Sequence, residues 1–204
     1  MLKRQLVSLI RPLCSGIGAS VGLACLVFCT SAFALKIKPG VRAFVSPNAE
    51  WVVRIGDESK ASQNAVWFRF ADDAYRPVAR ARLVNAVGPE LAYVTNNGDL
   101  LTIGDLSGGT AELALVAYTS NGKHLKTTPQ GEIFTDREIA CVARGAEGID
   151  WLPSWGGVEV RPDKNAVQIE DILGGTIIIR METGNAEVYA ARRLDGMRRR
   201  KCAS

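Results

Sequence analysis

The sequence is poor in histidine. His124 is the only histidine among 204 residues, so a zinc site built from several histidines and cysteines cannot be assembled. A Ser-His nucleophilic pair would have to use this one residue, and no G-x-S-x-G motif is present to position a serine. His124 stands beside a turn, at Lys123-His124-Leu125. These features favour a surface histidine at the start of a strand over a catalytic base.

Cysteine is also scarce after the first 34 residues. Of the five cysteines only Cys141 and Cys202 lie beyond that point, and they form no C-x-x-C motif. Two cysteines in an exported chain permit one disulfide. Cys202, however, lies in a charged C-terminal tail that no sequence feature orders. The sequence therefore favours a buried Cys141 and an unpaired Cys202, with a disulfide as the alternative.

Phosphate-binding motifs are absent. The chain has no G-x-G-x-x-G, and neither of its two Gly-Gly-Thr triplets, 108–110 and 174–176, is followed by Lys-Ser/Thr. A nucleotide loop is thereby excluded, and the glycines are interpreted as relieving a bend or bulge. No cofactor is predicted.

The first 34 residues have the pattern of a secretory signal. They are basic at the start, contain no acidic residue, continue with the apolar run Leu13–Cys29, and end in "TSAFA". This order predicts cleavage between Ala34 and Leu35 and export to the periplasm or the cell exterior. The alternative is an uncleaved membrane anchor, since the apolar region is about long enough to span a bilayer.

Charge is distributed unevenly. The chain has a net charge of +4, of which the signal contributes +3. Residues 192–204 contain six basic residues and one acidic residue, a charge of +5, so residues 35–191 carry −4. We expect one domain over 35–191 and a disordered basic tail over 192–204. Such a tail can bind an anionic surface, whereas nucleic acid is not an expected partner of an exported chain.

Three related stretches begin at Val45, Val94 and Val160. Each has an apolar residue, a polar turn of Pro, Asn, Asp or Gly type, and a second apolar run. Residues of these types supply the dihedral angles of a tight reversal. In addition, "IGDLSGGT" at 103–110 matches "IEDILGGT" at 169–176 with a constant offset of 66. The stretches therefore belong to an internal repeat.

The repeat unit is predicted to be strand, turn, strand, loop, strand, turn. Its apolar runs are short and rich in β-branched and aromatic residues, which favours strands. Extra length before the third unit contains one predicted helix over Asp136–Arg144, because Thr135–Glu138 is a capping box and Gly145 can end the helix. The predicted fold class is all-β, with antiparallel hairpin repeats and one short helix.

The tetrapeptide Tyr93–Asn96, followed by the strand-like "VAYTSNGK" at 116–123, resembles the YVTN-type β-propeller repeat family. The turns "SPNA" at 46–49 and "RPDK" at 161–164 are similar to those of WD40-like repeats in exported bacterial proteins. The resemblance implies propeller-like hairpin repeats. Closed propellers use about four to eight blades, and this chain has room for about three units. It is therefore expected to be a partial propeller, a curved sheet or sandwich, or one part of an oligomer.

Two pairs of residues are candidate functional groups. Asp105 and Asp171 are equivalent in the repeat, and paired acids can act as general acid and base or hold Ca²⁺; the favoured interpretation is that each caps a turn. The resemblance to propeller lactonases, which use acidic residues and a metal, implies the alternative. Trp151 and Trp155 flank Pro153 and are weak candidates for ligand binding, with core filling the commoner role.

These features predict a non-catalytic binding or scaffolding module in the cell envelope, with an unidentified protein or envelope component as its partner. A propeller-type hydrolase or lactonase with a divalent metal is the alternative function. Association with an anionic surface through the basic tail is a third hypothesis.

Overall fold

A computed structural model describes residues 40–57, 60–85, 88–105, 114–142, 151–153, 156–200 and 202. The predicted signal, with its cleavage site at Ala34 and Leu35, lies outside these residues. Within them the chain forms three four-stranded antiparallel sheets, each with its strands in sequence order. The prediction of an all-β fold is confirmed.

The first sheet contains β1 (Arg42–Val45), β2 (Trp51–Asp57), β3 (Lys60–Ala71) and β4 (Ala74–Arg82). The second contains β5 (Leu91–Val94), β6 (Leu100–Ile103), β7 (Leu115–Tyr118) and β8 (His124–Thr128). The third contains β9 (Val158–Arg161), β10 (Ala166–Glu170), β11 (Thr176–Arg180) and β12 (Asn185–Tyr189), with a 3-10 turn at Pro162–Lys164. The described helices are short: α1 (Gln130–Ile133), α2 (Asp136–Val142) and α3 (Arg193–Arg199).

The second sheet lies between the other two. Every residue of β6 and β7 is buried, and successive side chains of a strand point to opposite faces. Leu100 belongs to the hydrophobic cluster shared with the first sheet, whereas Leu101 belongs to the cluster shared with the third sheet and the helices. The near-continuous apolar sequence of these strands follows from burial on both faces.

The first turn of each unit lies close to the first turn of its neighbour. The Asn48 N–H donates to Asn96 Oδ1 at 3.0 Å, and Asn165 Nδ2 donates to Asp99 Oδ2 at 3.0 Å. Burial raises the pKa of Asp99, and the hydrogen bonds from Asn165 and Ser120 oppose that rise. The turn at 95–99 therefore joins the second sheet to both neighbours.

The predicted helix is α2. Its capping box is present: Glu138 Oε2 accepts from the Thr135 N–H at 2.8 Å, and the Glu138 N–H lies 3.4 Å from Thr135 Oγ1. Cys141 and Val142 are buried in the cluster between the second and third sheets. The helix therefore fills the core, and α1 and α3 are helices that the sequence analysis did not predict.

The tail requires a correction. Instead of disorder over 192–204, the structure shows α3, whose Arg193 and Met197 are buried one helical turn apart. Cys202 follows α3 and forms a disulfide with Cys141, with a Cα–Cα distance of 5.3 Å. The favoured expectation of an unpaired Cys202 is therefore wrong, because docking of α3 brings Cys202 to α2.

Candidate interaction surface

Asp171 caps the turn that follows β10. Its Oδ1 accepts from the N–H groups of Leu173 and Gly175, both at 2.9 Å. This bonding is the turn-capping role that the sequence favours. Its repeat equivalent, Asp105, is also fully buried, and the Gly-Gly-Thr that follows it at 108–110 lies outside the described residues.

The other carboxylate oxygen of Asp171 binds Arg193. Arg193 Nε donates to Asp171 Oδ2 at 2.8 Å, and Nη2 lies 2.7 Å from the same oxygen as an ion-pair contact without hydrogen-bond geometry. Arg193 Nη1 donates to the carbonyl of Ile133 at 2.7 Å and lies 3.5 Å from Glu138. The guanidinium also stacks over the Phe134 ring at 4.2 Å. Because Asp171 is occupied by these donors, the arrangement is a structural clamp for α3.

The glycines beside this clamp allow close approach. A Cβ on Gly175 would overlap Arg193 and Asp171, and a Cβ on Gly196 would overlap the backbone of Leu173. The second Gly-Gly-Thr therefore permits α3 to lie against the β10–β11 turn, in agreement with its interpretation as a site of close backbone approach.

The remaining sequence candidates are His124, Trp151 and Trp155. His124 is exposed at the start of β8, where Nε2 lies 3.0 Å from Thr127 Oγ1. Trp151 is buried in the core against Phe134, at 5.7 Å between ring centroids, so it is not available to a ligand. Trp155 lies outside the described residues. No three His, Cys, Asp or Glu residues form a metal-binding group in the part of the chain that the structure describes.

Several exposed apolar side chains lie together on the outer face of the first sheet, which faces away from the second sheet. The register places Val45, Val52, Phe68 and Pro77 in one row across the four strands. Phe70 and Tyr75 form the next row toward the β3–β4 turn. Val45 is 54% exposed, Phe70 46% and Tyr75 43%. We call this area the outer face.

The same row exists in the other two sheets, where its central residues are covered. The second sheet has Val94, Leu100, Tyr118 and His124 in register, and the third has Val160, Val167, Ile179 and Ala186. Val94, Leu100 and Tyr118 are buried against the first sheet, and Val167 and Ile179 are buried against the second. The outer face therefore carries the residues that, in the other sheets, pack against a preceding sheet.

Tyr118, the counterpart of Phe68, shows what such coverage does. It is 1% exposed, and burial raises its pKa to about 12 although its hydroxyl accepts the Val84 N–H at 2.9 Å. A raised folded-state pKa gives stability that is present below pH 10 and is lost as the pH rises toward 12. We expect ionisation of Tyr118 to lower the free energy of unfolding by about 2–3 kcal/mol between pH 10 and about 12.

Denaturant unfolding of the wild type and Tyr118→Phe at several pH values measures this loss. The wild type should lose more stability than the variant between pH 10 and about 12. Parallel curves for the two proteins would contradict the assignment.

Charge on the outer face is separated along the strands. Asp72 and Asp73 lie on the β3–β4 turn at one end, where Asp72 is paired with Arg76 at 3.7 Å and Asp73 is exposed. Arg80 is in register with Val66, and Arg82 with Asn64, toward the other end. Arg54 lies over the Phe68 ring, 5.8 Å from its centroid. The face thus has an acidic end, an apolar and aromatic centre, and a basic end.

The outer face of the third sheet has a different character. Its rows are Glu159–Gln168–Ile178–Glu187 and Glu170–Thr176–Tyr189, so the face is mainly polar with Ile178 and the exposed Tyr189 as its apolar residues. Its arginines are bonded within the face, Arg161 to Gln168 at 3.1 Å and Arg180 to Glu187 at 3.0 Å. Terminal units of stacked repeats characteristically carry a polar outer face, so this sheet has the composition of an end of the stack and the first sheet does not.

The sequence contains a signal for the outer face. In "WVVRI" at 51–55 and "AVWFRF" at 65–70, apolar residues occupy both parities of the strand. Such runs indicate burial on both faces. This composition in the first unit, which has no preceding unit among the described residues, could have identified the surface.

No protein-family model and no curated protein matches the chain. Membership of a YVTN-type or WD40-like family stays a prediction. Among the described residues there is no helix of the length and apolarity needed to cross a membrane.

Proposed function

We propose that this chain is a non-catalytic binding or scaffolding module of the cell envelope, and that its outer face binds protein. The observation that carries the proposal is the row Val45–Val52–Phe68, in which Val45 is 54% exposed and the other two are partly exposed, whereas the counterparts of Val52 and Phe68 in the other sheets are buried. Contiguous apolar patches on a soluble domain mark interaction sites. Aromatic and arginine side chains, which are enriched in protein interfaces, make up much of the remaining face.

Edge pairing is a less suitable mode of binding than face contact. Strand β4, at one edge of the first sheet, contains Pro77 and a bulge in its pairing at Trp67 and Phe68. Proline and bulges blunt an edge strand against addition of another strand. We therefore expect a partner to contact the side chains of the outer face and not to pair with strand β4.

The turn cap at Asp171 bears on the alternative function. A metal-dependent hydrolase would need Asp171 to face a ligand, and this carboxylate is instead buried and bonded to Arg193 and to two backbone N–H groups. The binding module is therefore the better-supported function.

Photocrosslinking in cells that express the full chain tests the proposal. A photoreactive amino acid at Val45 or Phe70, which are 54% and 46% exposed, should give discrete protein adducts identifiable by mass spectrometry. Leu194 is the matched control, since it is an exposed apolar residue on α3, outside the outer face. Absence of adducts from both face positions, or equal adducts from Leu194, would overturn the proposal.

The envelope location is tested with the same cells. We expect the protein in the periplasmic or secreted fraction with Leu35 as its first residue. Protein found only in the cytoplasm with residues 1–34 retained would contradict export.

A further inference from the structure

We propose that the outer face is covered by the outer face of a second copy, related by a twofold axis that lies in the interface and runs across the strands. The inference rests on the proposed function, because it names the partner that this face binds. The structure that covers the outer face is inferred to be a β-sheet. Both other sheets bury the equivalent row against a sheet face, and aligned sheets interdigitate their inner side chains about 10 Å apart.

The third sheet of another copy is a poor match for the outer face. Its outer face presents Glu159, Gln168 and Glu170, and burying these polar and charged side chains against valine and phenylalanine would cost their hydration. A head-to-tail ring of copies is therefore disfavoured. Within this chain, the outer face of the first sheet is the better match in apolar composition for a second first sheet.

The direction of the twofold axis follows from the positions of the charges on the outer face. A twofold axis across the strands keeps each strand over its own copy and reverses its direction. With the axis placed near Phe68, the register rows set the Asp73 end of one protomer over the Arg82 end of its partner, and Tyr75 over Arg80. An axis along the strands would instead set the Asp73 ends of the two sheets together and the Arg82 ends together. Like charges across an interface are unfavourable and opposite charges fix the register, so the charge separation selects the first arrangement.

In this arrangement arginine and aromatic side chains of the two protomers meet. Arg80 over Tyr75 of the partner makes an arginine–aromatic contact of the kind that Arg54 already makes with Phe68. An interface of this type is isologous, so each contact occurs twice. Exposed Asp73 at one end and Arg80 and Arg82 at the other make the face complementary to itself only when reversed.

Sedimentation velocity of the purified protein over a dilution series tests the inference. The wild type should dimerise. Val45→Glu with Phe70→Glu should be monomeric and keep the wild-type far-UV circular dichroism spectrum, while the control Leu194→Glu should stay dimeric. A wild type that remains monomeric at every concentration would overturn the inference, as would a dimer that the face variant leaves intact.

Charge reversal tests the axis. Asp73→Arg and Arg82→Asp should each weaken the dimer roughly tenfold, and the double variant should recover wild-type affinity. No recovery in the double variant would overturn the reversed arrangement.

The two proposals fail differently. Face-specific photocrosslinks to another protein, together with a monomeric purified chain, would leave the binding function supported and overturn the self-association. Photocrosslinks between two copies through the outer face support both.

Discussion

Arg193→Ala lowers the free energy of unfolding by about 3–5 kcal/mol, the effect typical of removing one partner from a buried ion pair. The Arg193 side chain is 2% exposed and Asp171 is fully buried. Truncation leaves the Asp171 carboxylate without its charge partner and the Ile133 carbonyl without the Arg193 donor. It also removes the stacking over Phe134, so α3 loses its main polar attachment.

Urea unfolding of Arg193→Ala beside Arg198→Ala measures this effect. Arg198 is the matched control because it lies on the same helix with its side chain 81% exposed, and its loss should change stability by no more than about 0.5 kcal/mol. Arg193→Lys keeps the charge but loses the planar fork, so it should fall between the two. Equal stabilities for the Arg193 and Arg198 alanine variants would show that the buried pair contributes nothing net.

The burial of Arg193 and its partners could not be predicted from the sequence. A cluster of arginines near a chain end normally indicates a solvated segment, since arginine is rarely buried unless paired. The spacing of Arg193 and Met197 is that of one helix face, but the partners of Arg193 lie 22 and 60 residues away in sequence. Nothing local to the tail identifies Asp171 or Ile133 as its partners, so the tail was predicted to be disordered.

The internal repeat predicted more of the structure than the sequence of the tail did. Val45, Val94 and Val160, aligned from sequence, occupy the same register position in the three sheets. The turns differ in length, however. Residues 95–99 separate Val94 from Leu100, while 161–166 separate Val160 from Val167. The constant offset of 66 therefore pairs Leu100 with Ala166, one residue out of register.

A one-residue slip exchanges the two faces of a strand. The offset equates Ile103 with Ile169, yet the two face each other across the same core, from the second and the third sheet. The sequence could thus predict the units and their turns. It could not predict which face each apolar side chain occupies, and for that reason the outer face was found only in the structure.

Reduction of the Cys141–Cys202 disulfide lowers the free energy of unfolding by about 4 kcal/mol, the chain-entropy value for a link of this span. The bond closes a segment of 61 residues that includes the whole third sheet. Cys141 is buried in the core and Cys202 lies after α3, so the bond and the Arg193 clamp hold the same helix. Contributions from sites that share an element are not additive.

Unfolding with and without a reductant tests this prediction, with Cys141→Ser/Cys202→Ser as the matched control. The double variant should resemble the reduced wild type and should not respond to the reductant. Unchanged wild-type stability on reduction would contradict the prediction. Adding Arg193→Ala to the double variant should release α3, and amide exchange at Met197 and its neighbours should then approach that of an unfolded chain. Protection that persists there would mean that burial of Met197 alone holds the helix in place.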